Sequence, residues 1–181
     1  DLGSCKTMAT PPKGVNDVFS AVCVLLAGIN QGVVVQRNGK VKDKDRGWDA
    51  CKKSLLGNVN GLVDELKKFK SLIDEDNVPK INFQEVRIYL AMEHFNEEAM
   101  KKKNSAAAGL VRWVENIVAY YDIWLEVEPK RLKVVESTAQ LEVANAELAL
   151  VQERVDQLQE QLAQLTSEYE QAEKDKWEAV K

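Results

Sequence analysis

The last 52 residues, Lys130–Lys181, repeat apolar residues every seven positions over seven heptads, with no Gly or Pro. A 3.5-residue repeat held this long predicts an α-helix supercoiled around a second helix. At about 1.5 Å per residue the arm would extend roughly 78 Å, well beyond a small domain. Nothing else in the chain repeats the pattern, so we expect the partner strand to precede Asp1 in a longer protein. The predicted seam comprises Val134, Leu141, Leu148, Val151, Val155, Leu158, Leu162, Leu165 and Tyr169.

The residues before the arm predict one globular head over 11–129, a usual domain length. Gly and Pro are few and most windows show helical periodicity, so the predicted fold class is all-α, a small helical bundle followed by a long coiled-coil helix. Asn82, with Glu85 three residues later, has the pattern of a capping box, and Asn96 is the predicted cap of the helix that follows. The predicted head helices cover 13–27, 48–56, 60–73, 82–94, 97–103 and a last one from Asn104 or Ser105 to Val127.

The segment Gly32–Lys44 carries the only strand signals. Val33–Gln36 is β-prone, Asn38-Gly39 is typical of a type I′ turn, and a return strand can follow. We therefore predict a two-stranded β-hairpin flap, which must pack on the helices or move because an isolated hairpin is marginally stable. Its cations fit a basic binding finger or an ordinary solvated loop; they are Arg37, Lys40, Lys42 and Lys44.

The net charge of −4 belongs to the arm. The arm contains 7 of the 25 basic and 11 of the 29 acidic residues, which leaves 18 of each in the rest of the chain. A neutral head argues against a general nucleic-acid partner, whose binding domain would be basic. Local basic patches can still face an acidic protein. The longest apolar run, near Ala21–Ala27, is too short to cross a bilayer, so we expect no membrane partner.

No constellation in the sequence indicates catalysis. A phosphate-binding Gly-x4-Gly-Lys-Ser/Thr motif is missing from the sequence. The three cysteines and the single histidine, His94, show no metal-ligand or redox spacing, and Cys23 fits a core position. We expect this chain alone to be no enzyme and to hold no cofactor and no metal.

Two features in and just before the last head helix can be interpreted in more than one way. The aromatic residues Trp113, Tyr120, Tyr121 and Trp124 could stack bases, but their spacing is that of one buried helical stripe. The run Lys101–Lys103 is followed by small residues that allow close approach to a partner. It could bind carboxylates of another protein, with Glu98 restraining Lys102 as an i, i+4 pair, or it could be an ordinary solvated run.

Several stretches together resemble the dynein heavy chain, in its microtubule-binding domain and adjoining stalk. They are Thr7–Pro12, Val15–Gly28, Asp76–Pro79, Ala106–Val114 and Val127–Pro129, and they cover nearly the whole chain in the same order. The resemblance implies that residues 130–181 are the second strand of an antiparallel stalk. It implies that residues 1–10 end the first strand, whose remainder is missing here.

The resemblance further implies binding to the groove between α- and β-tubulin without ATP, with affinity coupled to a distant ATPase ring by sliding of the stalk strands. Lys102 matches a basic contact within the run Lys101–Lys103, and Glu98 and Glu75 match tempering acids. On the first helix, Asn16 stands where cytoplasmic dyneins are basic, with Lys13 nearby. The flap resembles that of axonemal inner-arm dyneins, which implies a location in the axoneme of a cilium or flagellum.

A second hypothesis is a structural coiled-coil scaffold or adaptor whose helical head docks another protein. Both hypotheses predict heptads and a helical head. They differ in the lysine run, because track binding through exposed charges weakens steeply with salt and apolar docking does not.

Overall fold

The computed structural model describes residues 2–180, which form α-helices, short 3₁₀ turns and loops. Two 3₁₀ turns lie at Asp43–Asp45 and Leu56–Asn58. The chain divides into two compact units, residues 1–127 and 128–181. The α-helices are α1 (Leu2–Cys5), α2 (Val15–Leu25), α3 (Trp48–Ser54), α4 (Val59–Asp74), α5 (Lys80–Leu90), α6 (Glu97–Lys101) and α7 (Ser105–Val180).

Helix α2 is the centre of the first unit. From Val18 to Ala27 every residue is buried, so the helix is enclosed on all sides and not along one stripe only. Phe19, which is fully buried, meets Trp48 of α3 edge-on, with ring centroids 5.2 Å apart. The other helices of this unit therefore cover an apolar rod.

The carbonyl end of α2 is satisfied by a side chain from α5. Asn82 is 1% exposed, and its amide nitrogen donates to Leu25 O at 3.0 Å and to Ala27 O at 2.8 Å. The capping box predicted at Asn82 is therefore wrong, because Pro79 occupies the N-cap of α5 and the Asn82 side chain points to another helix. A tertiary contact takes precedence over the local capping pattern.

Three asparagines cap helices of the first unit in the usual way. The side-chain oxygens of Asn58, Asn96 and Asn104 accept hydrogen bonds from Gly61 N, Ala99 N and Ala107 N, respectively. These bonds satisfy amide groups that have no partner within their helix. The predicted cap at Asn96 and the predicted start of the last head helix at Asn104 or Ser105 are confirmed.

The aromatic stripe of α7 lies against the core, as its spacing predicted. The ring of Tyr121 stacks on Phe83 of α5 with centroids 3.6 Å apart, and Trp113 meets Phe69 of α4 edge-on at 5.2 Å. The Trp113 indole N–H also donates to Leu66 O at 3.3 Å. The alternative of a base-stacking platform is thereby excluded for these rings.

The predicted all-α class is confirmed, but the β-hairpin flap at residues 32–44 is wrong: the described residues contain no strand. The turn is real, since Gly39 N donates to Gln36 O at 2.9 Å and Gln36 N donates to Lys40 O at 2.8 Å. Only Gly39 of the predicted turn pair has positive φ, at 83°, which excludes type I′.

The chain on either side of this turn is held by contacts other than strand pairing. Val33 and Val41 are buried at 6% and 2% exposure, while Val34 and Val35 face solvent at 61% and 40%. Burial of the two outer valines in the helical core fixes the segment as a loop. A hairpin this short gains too little from its few cross-strand pairs to compete.

The second unit, residues 128–181, is helical throughout its described part, and nearly all of its side chains are exposed. Glu128 and Arg131 pair in its first turn. The predicted seam residues have exposed fractions from 39% at Val155 to 65% at Leu148, Leu162 and Tyr169. A helix with this much exposed apolar surface, repeated every heptad, has the form of one half of a coiled coil.

We expect Asn82→Ala to lower the free energy of unfolding of the head by about 2–3 kcal/mol, because two buried carbonyls at the end of α2 lose their donor. Urea unfolding monitored by tryptophan fluorescence measures this. Asn116→Ala, at an exposed position of α7, is the matched control and should change stability by less than about 0.5 kcal/mol. Equal effects of the two substitutions would contradict the role of Asn82.

Candidate functional site

The N-terminus of α2 lies against the segment that carries the lysine run. His94 Nε2 and Asp17 Oδ2 are 2.7 Å apart, and the Lys103 ammonium donates to the Lys13 carbonyl. The side chains of His94 and Asp17 are 37% and 25% exposed, so their contact is partly shielded from water. The structure thus joins two chain segments that the sequence separates by 77 to 90 positions.

Gly14 allows this close approach. It is the N-cap of α2 with φ of 94°, a left-handed conformation that side chains rarely adopt. A Cβ at this position would lie 2.8 Å from His94 Cδ2 and 3.0 Å from Met100 Cε. The backbone of α2 therefore begins directly beneath the His94 ring and the end of α6.

The lysine run lies at the junction of α6 and α7. Lys101 is the last residue of α6 and pairs with Glu97 at 3.1 Å, while Lys102 is the C-cap and Lys103 reaches α2. All three side chains are exposed. Within residues 2–180, neither Lys13 nor Lys102 has a carboxylate oxygen within 4.0 Å, so the positive charges of both are uncompensated by an ion pair.

Glu98 is exposed beside the run, but the ion pair predicted between it and Lys102 is not formed among the described contacts. The pair that does form lies one residue earlier, between Glu97 and Lys101. Lys102 is the C-cap of α6 and keeps a right-handed helical backbone, so it still lies one turn beyond Glu98, but the two side chains make no ion pair.

Asn104 joins the run to α7 and to the beginning of the chain. Its side-chain oxygen caps α7 at Ala107 N, 3.0 Å away, and lies 3.7 Å from the thiol of Cys5, which is fully buried in α1. Residue 8 is also bound to the head, because Met8 O accepts from Trp48 Nε1 and Lys52 Nζ at 3.1 Å each. The start of the chain thus packs on the base of the lysine run.

The loop over residues 32–46 is fixed to α5 through Glu85. Lys40 Nζ lies 3.2 Å from one Glu85 oxygen and Arg46 lies 3.4 Å from the other, while Arg46 Nε donates to Val41 O at 3.0 Å. Burial opposes the charge of Arg46, but the hydrogen bonds that its guanidinium donates to Tyr89 and Glu85 outweigh burial and raise the pKa of Arg46. Of the predicted flap cations, Lys40 is therefore paired.

The remaining predicted flap cations, Arg37, Lys42 and Lys44, are exposed on the loop. Together with the exposed Val34 and Val35 they line a shallow groove. The other end of the loop reaches α2, where the Ser20 hydroxyl lies 2.6 Å from Arg46 O.

Glu75 lies elsewhere in the head. It is the C-cap of α4 and accepts from Asn77 Nδ2 at 3.0 Å. Its neighbour Asp74 accepts a hydrogen bond from Tyr120, which raises the pKa of that phenol. Tyr120 follows Asn104 by sixteen residues, about 24 Å along α7. The structure therefore does not bring Glu75 to the lysine run.

Cys23 and Cys51 lie side by side in the core, both fully buried. Their thiols point to neighbouring carbonyls, Cys23 to Asp45 O at 3.8 Å and Cys51 to Arg46 O at 3.3 Å. The neighbouring Cys23 thiol and burial in the core raise the pKa of Cys51. In residues 2–180 no group of three His, Cys, Asp or Glu side chains has a metal-binding arrangement.

Comparison with known proteins identifies the family of this chain. The family model described as the microtubule-binding stalk of dynein motor matches residues 1–181. The chain belongs to this family. The stalk domain is the track-binding part of a dynein heavy chain and not its ATPase ring.

Curated relatives are dynein heavy chains. The chain is 41% identical over 142 residues, 78% of its length, to the dynein alpha chain of the flagellar outer arm of Chlamydomonas reinhardtii. It is 36% identical over 151 residues, 83% of its length, to dynein axonemal heavy chain 9 of Homo sapiens. It is 35% identical over 141 residues, 78% of its length, to the ciliary dynein beta chain of Tripneustes gratilla. The matched region spans only 3% of each of these relatives.

The comparisons confirm the resemblance to axonemal dynein heavy chains that the sequence suggested. The narrower expectation of an inner-arm chain rested on the β-hairpin flap, which the structure does not contain. Among the described residues, no helix combines the length and the hydropathy that a membrane span needs.

Sequence reasoning missed two residues of the site, Asp17 and His94. No motif in the sequence distinguishes Asp17 from other polar residues near a helix start, and His94 belongs to no cluster of ligand residues. The single signal available was that His94 is the only histidine of the chain. Their contact joins positions 77 residues apart, so no local pattern reveals it.

We expect Arg46→Ala to release the loop, because Val41 O and Glu85 both lose their buried donor. Amide hydrogen exchange over residues 33–44 should accelerate, and the free energy of unfolding should fall by about 1–3 kcal/mol. Arg37→Ala removes a neighbouring exposed cation and should leave both quantities unchanged. Unchanged exchange in Arg46→Ala would mean that the buried valines hold the loop by themselves.

Proposed function

We propose that this stalk domain binds the groove between α- and β-tubulin without ATP, through the N-terminus of α2 and the α6–α7 junction. The observation that carries the proposal is the joining of Lys13 and Lys101–Lys103 on one surface by the Lys103–Lys13 and His94–Asp17 contacts. These contacts fix the backbone that carries the exposed cations. The cations would attract an acidic partner to this surface and orient it there.

Within this surface we assign the main tubulin contact to Lys102. It is exposed, and no described carboxylate lies within 4.0 Å of it, so binding would not have to break an existing pair. Asn16, in the first turn of α2, would contribute a neutral hydrogen-bonding contact. Glu98 would weaken binding through like charge with tubulin, because it is exposed in the same region. Glu75 would act from a distance, since it lies at the end of α4.

The exposed loop cations Arg37, Lys42 and Lys44 are secondary candidates for tubulin contact. Lys40 is a weaker candidate because Glu85 already pairs with it. The loop is attached to α5 by Arg46, so it would present these charges from a defined position.

We further propose that residues 130–181 are one strand of the stalk and that residues 1–10 end the other. The exposed seam supports this, because apolar residues at every heptad need a partner helix. Sliding of the two strands by part of a heptad would couple tubulin affinity to an ATPase ring elsewhere in the heavy chain. The names of the relatives support a location in the axoneme of a cilium or flagellum.

We expect Lys102→Glu to weaken microtubule binding at least about tenfold, equivalent to 1.4 kcal/mol, because it reverses an unpaired charge at the contact. Co-sedimentation with stabilised microtubules, using the chain joined to its preceding stalk strand, measures the dissociation constant. Wild-type affinity should fall steeply as salt is raised, since exposed charges are screened within about 8–10 Å.

Lys68→Glu is the matched control, because it makes the same charge change at an exposed position of α4. It should bind within about twofold of wild type. If both variants bind alike, or if binding is insensitive to salt, the head docks by apolar contact, as in the alternative of a scaffold or adaptor. If the wild-type chain does not bind microtubules when both stalk strands are present, the proposed function is wrong.

The seam also predicts how sliding can be blocked. Ser137, Ala144 and Ala172 continue the heptad positions with small side chains, which interlock weakly. Replacing all three with Leu should favour a single register, raise the thermal midpoint of the paired stalk and reduce ATP-dependent release from microtubules in the parent motor. Unchanged release with a more stable stalk would contradict register coupling.

A further inference from the structure

The contact between α2 and the lysine-bearing segment contains an acidic residue where a cation-rich binding surface should disfavour one. Asp17 lies four residues after Lys13, on the first turns of α2. Its side chain is 25% exposed, and its Oδ2 lies 2.7 Å from His94 Nε2. A carboxylate that acted only by repelling an acidic partner would not need this partly shielded contact with His94.

We propose that Asp17 and His94 are positioning residues for microtubule binding, which hold the N-terminus of α2 against the segment that carries Lys101–Lys103. The inference rests on the proposed function and deepens it, because it assigns a supporting role to an acid within the binding surface. Neither residue needs to touch tubulin for this role.

The start of α2 depends on these contacts because its own cap is weak. Gly14 at the N-cap has no side chain and makes no capping hydrogen bond. The ring of His94 covers Gly14 so closely that a Cβ there would lie 2.8 Å from it. Among the described residues, the other polar contact between the start of α2 and the lysine-bearing segment is the hydrogen bond from the Lys103 ammonium to Lys13 O, made by an exposed side chain. Asp17 therefore fixes the ring that covers the helix start.

The strength of the contact depends on the charge of Asp17. An imidazole N–H that donates to an ionised carboxylate makes a charge-assisted hydrogen bond, which is stronger than a bond between neutral groups.

The substitution Asp17→Asn distinguishes a pure charge effect from a positioning role, because the two predict opposite changes in microtubule affinity. Asp17→Asn keeps the shape of the side chain and removes a negative charge from a surface that faces an acidic partner. If charge alone matters, binding should tighten. If Asp17 positions α2, binding should weaken, because the amide loses the charge-assisted bond to His94.

The test compares Asp17→Asn with Glu98→Gln, which removes the same charge from an exposed acid that has no described ion pair. The chain joined to its preceding stalk strand is used in microtubule co-sedimentation. We expect Asp17→Asn to weaken binding about fivefold, since a less ordered contact surface must be ordered on binding. We expect Glu98→Gln to tighten it about twofold.

A third variant, His94→Phe, keeps a ring over Gly14 but cannot donate to Asp17. His94→Phe should weaken binding to about the same extent as Asp17→Asn, because each variant lacks the hydrogen bond between residues 94 and 17. If His94→Phe binds like wild type while Asp17→Asn binds more weakly, Asp17 does not act through His94 and the positioning role is wrong.

A readout without microtubules separates the proposal from the function on which it rests. Amide exchange over residues 15–20 should accelerate in Asp17→Asn, while far-UV circular dichroism stays that of wild type. Tighter or equal binding by Asp17→Asn, with wild type binding normally, overturns the positioning role alone. Loss of binding by wild type itself overturns the proposed function instead.

Discussion

The enclosure of α2 is the constraint on which the head depends. A helix buried on every side must have each end and each polar group satisfied by other elements, because water cannot reach them. Asn82 from α5 binds its carbonyl end, Ser20 within it lies against the Arg46 carbonyl, and His94 covers its start. The loop, α5 and the α6–α7 junction are therefore each placed by a polar contact to the same apolar rod.

This arrangement explains why the candidate surface lies at one end of α2. The apolar middle of the helix is inaccessible, so only its first turn can present residues to a partner. The lysine run reaches that turn because α6 ends at Lys101 and Asn104 starts a new helix immediately afterwards. A short helix between two asparagine caps thus places cations from a distant part of the chain beside Lys13.

Much of the fold could be predicted from periodicity and caps, including the helical head, the Asn96 cap and the buried stripe containing Tyr121. The errors arose where a long-range contact replaced a local preference, as when Asn82 turned from its own helix to α2. The turn near Gly39 was correctly located, but strand pairing lost to burial of the flanking valines. No local sequence pattern indicates the Asp17–His94 contact, because the two side chains come together only when the chain folds.

Gly14 restricts the substitutions that the binding surface can accept during evolution. Any other residue there would have to adopt a left-handed backbone and displace the His94 ring, so change at this position would alter geometry. Lys13 and Lys102 are exposed and can exchange without moving the backbone. Substitutions of exposed charged residues can therefore change the affinity for a partner in small steps, while the backbone geometry of the binding surface stays the same.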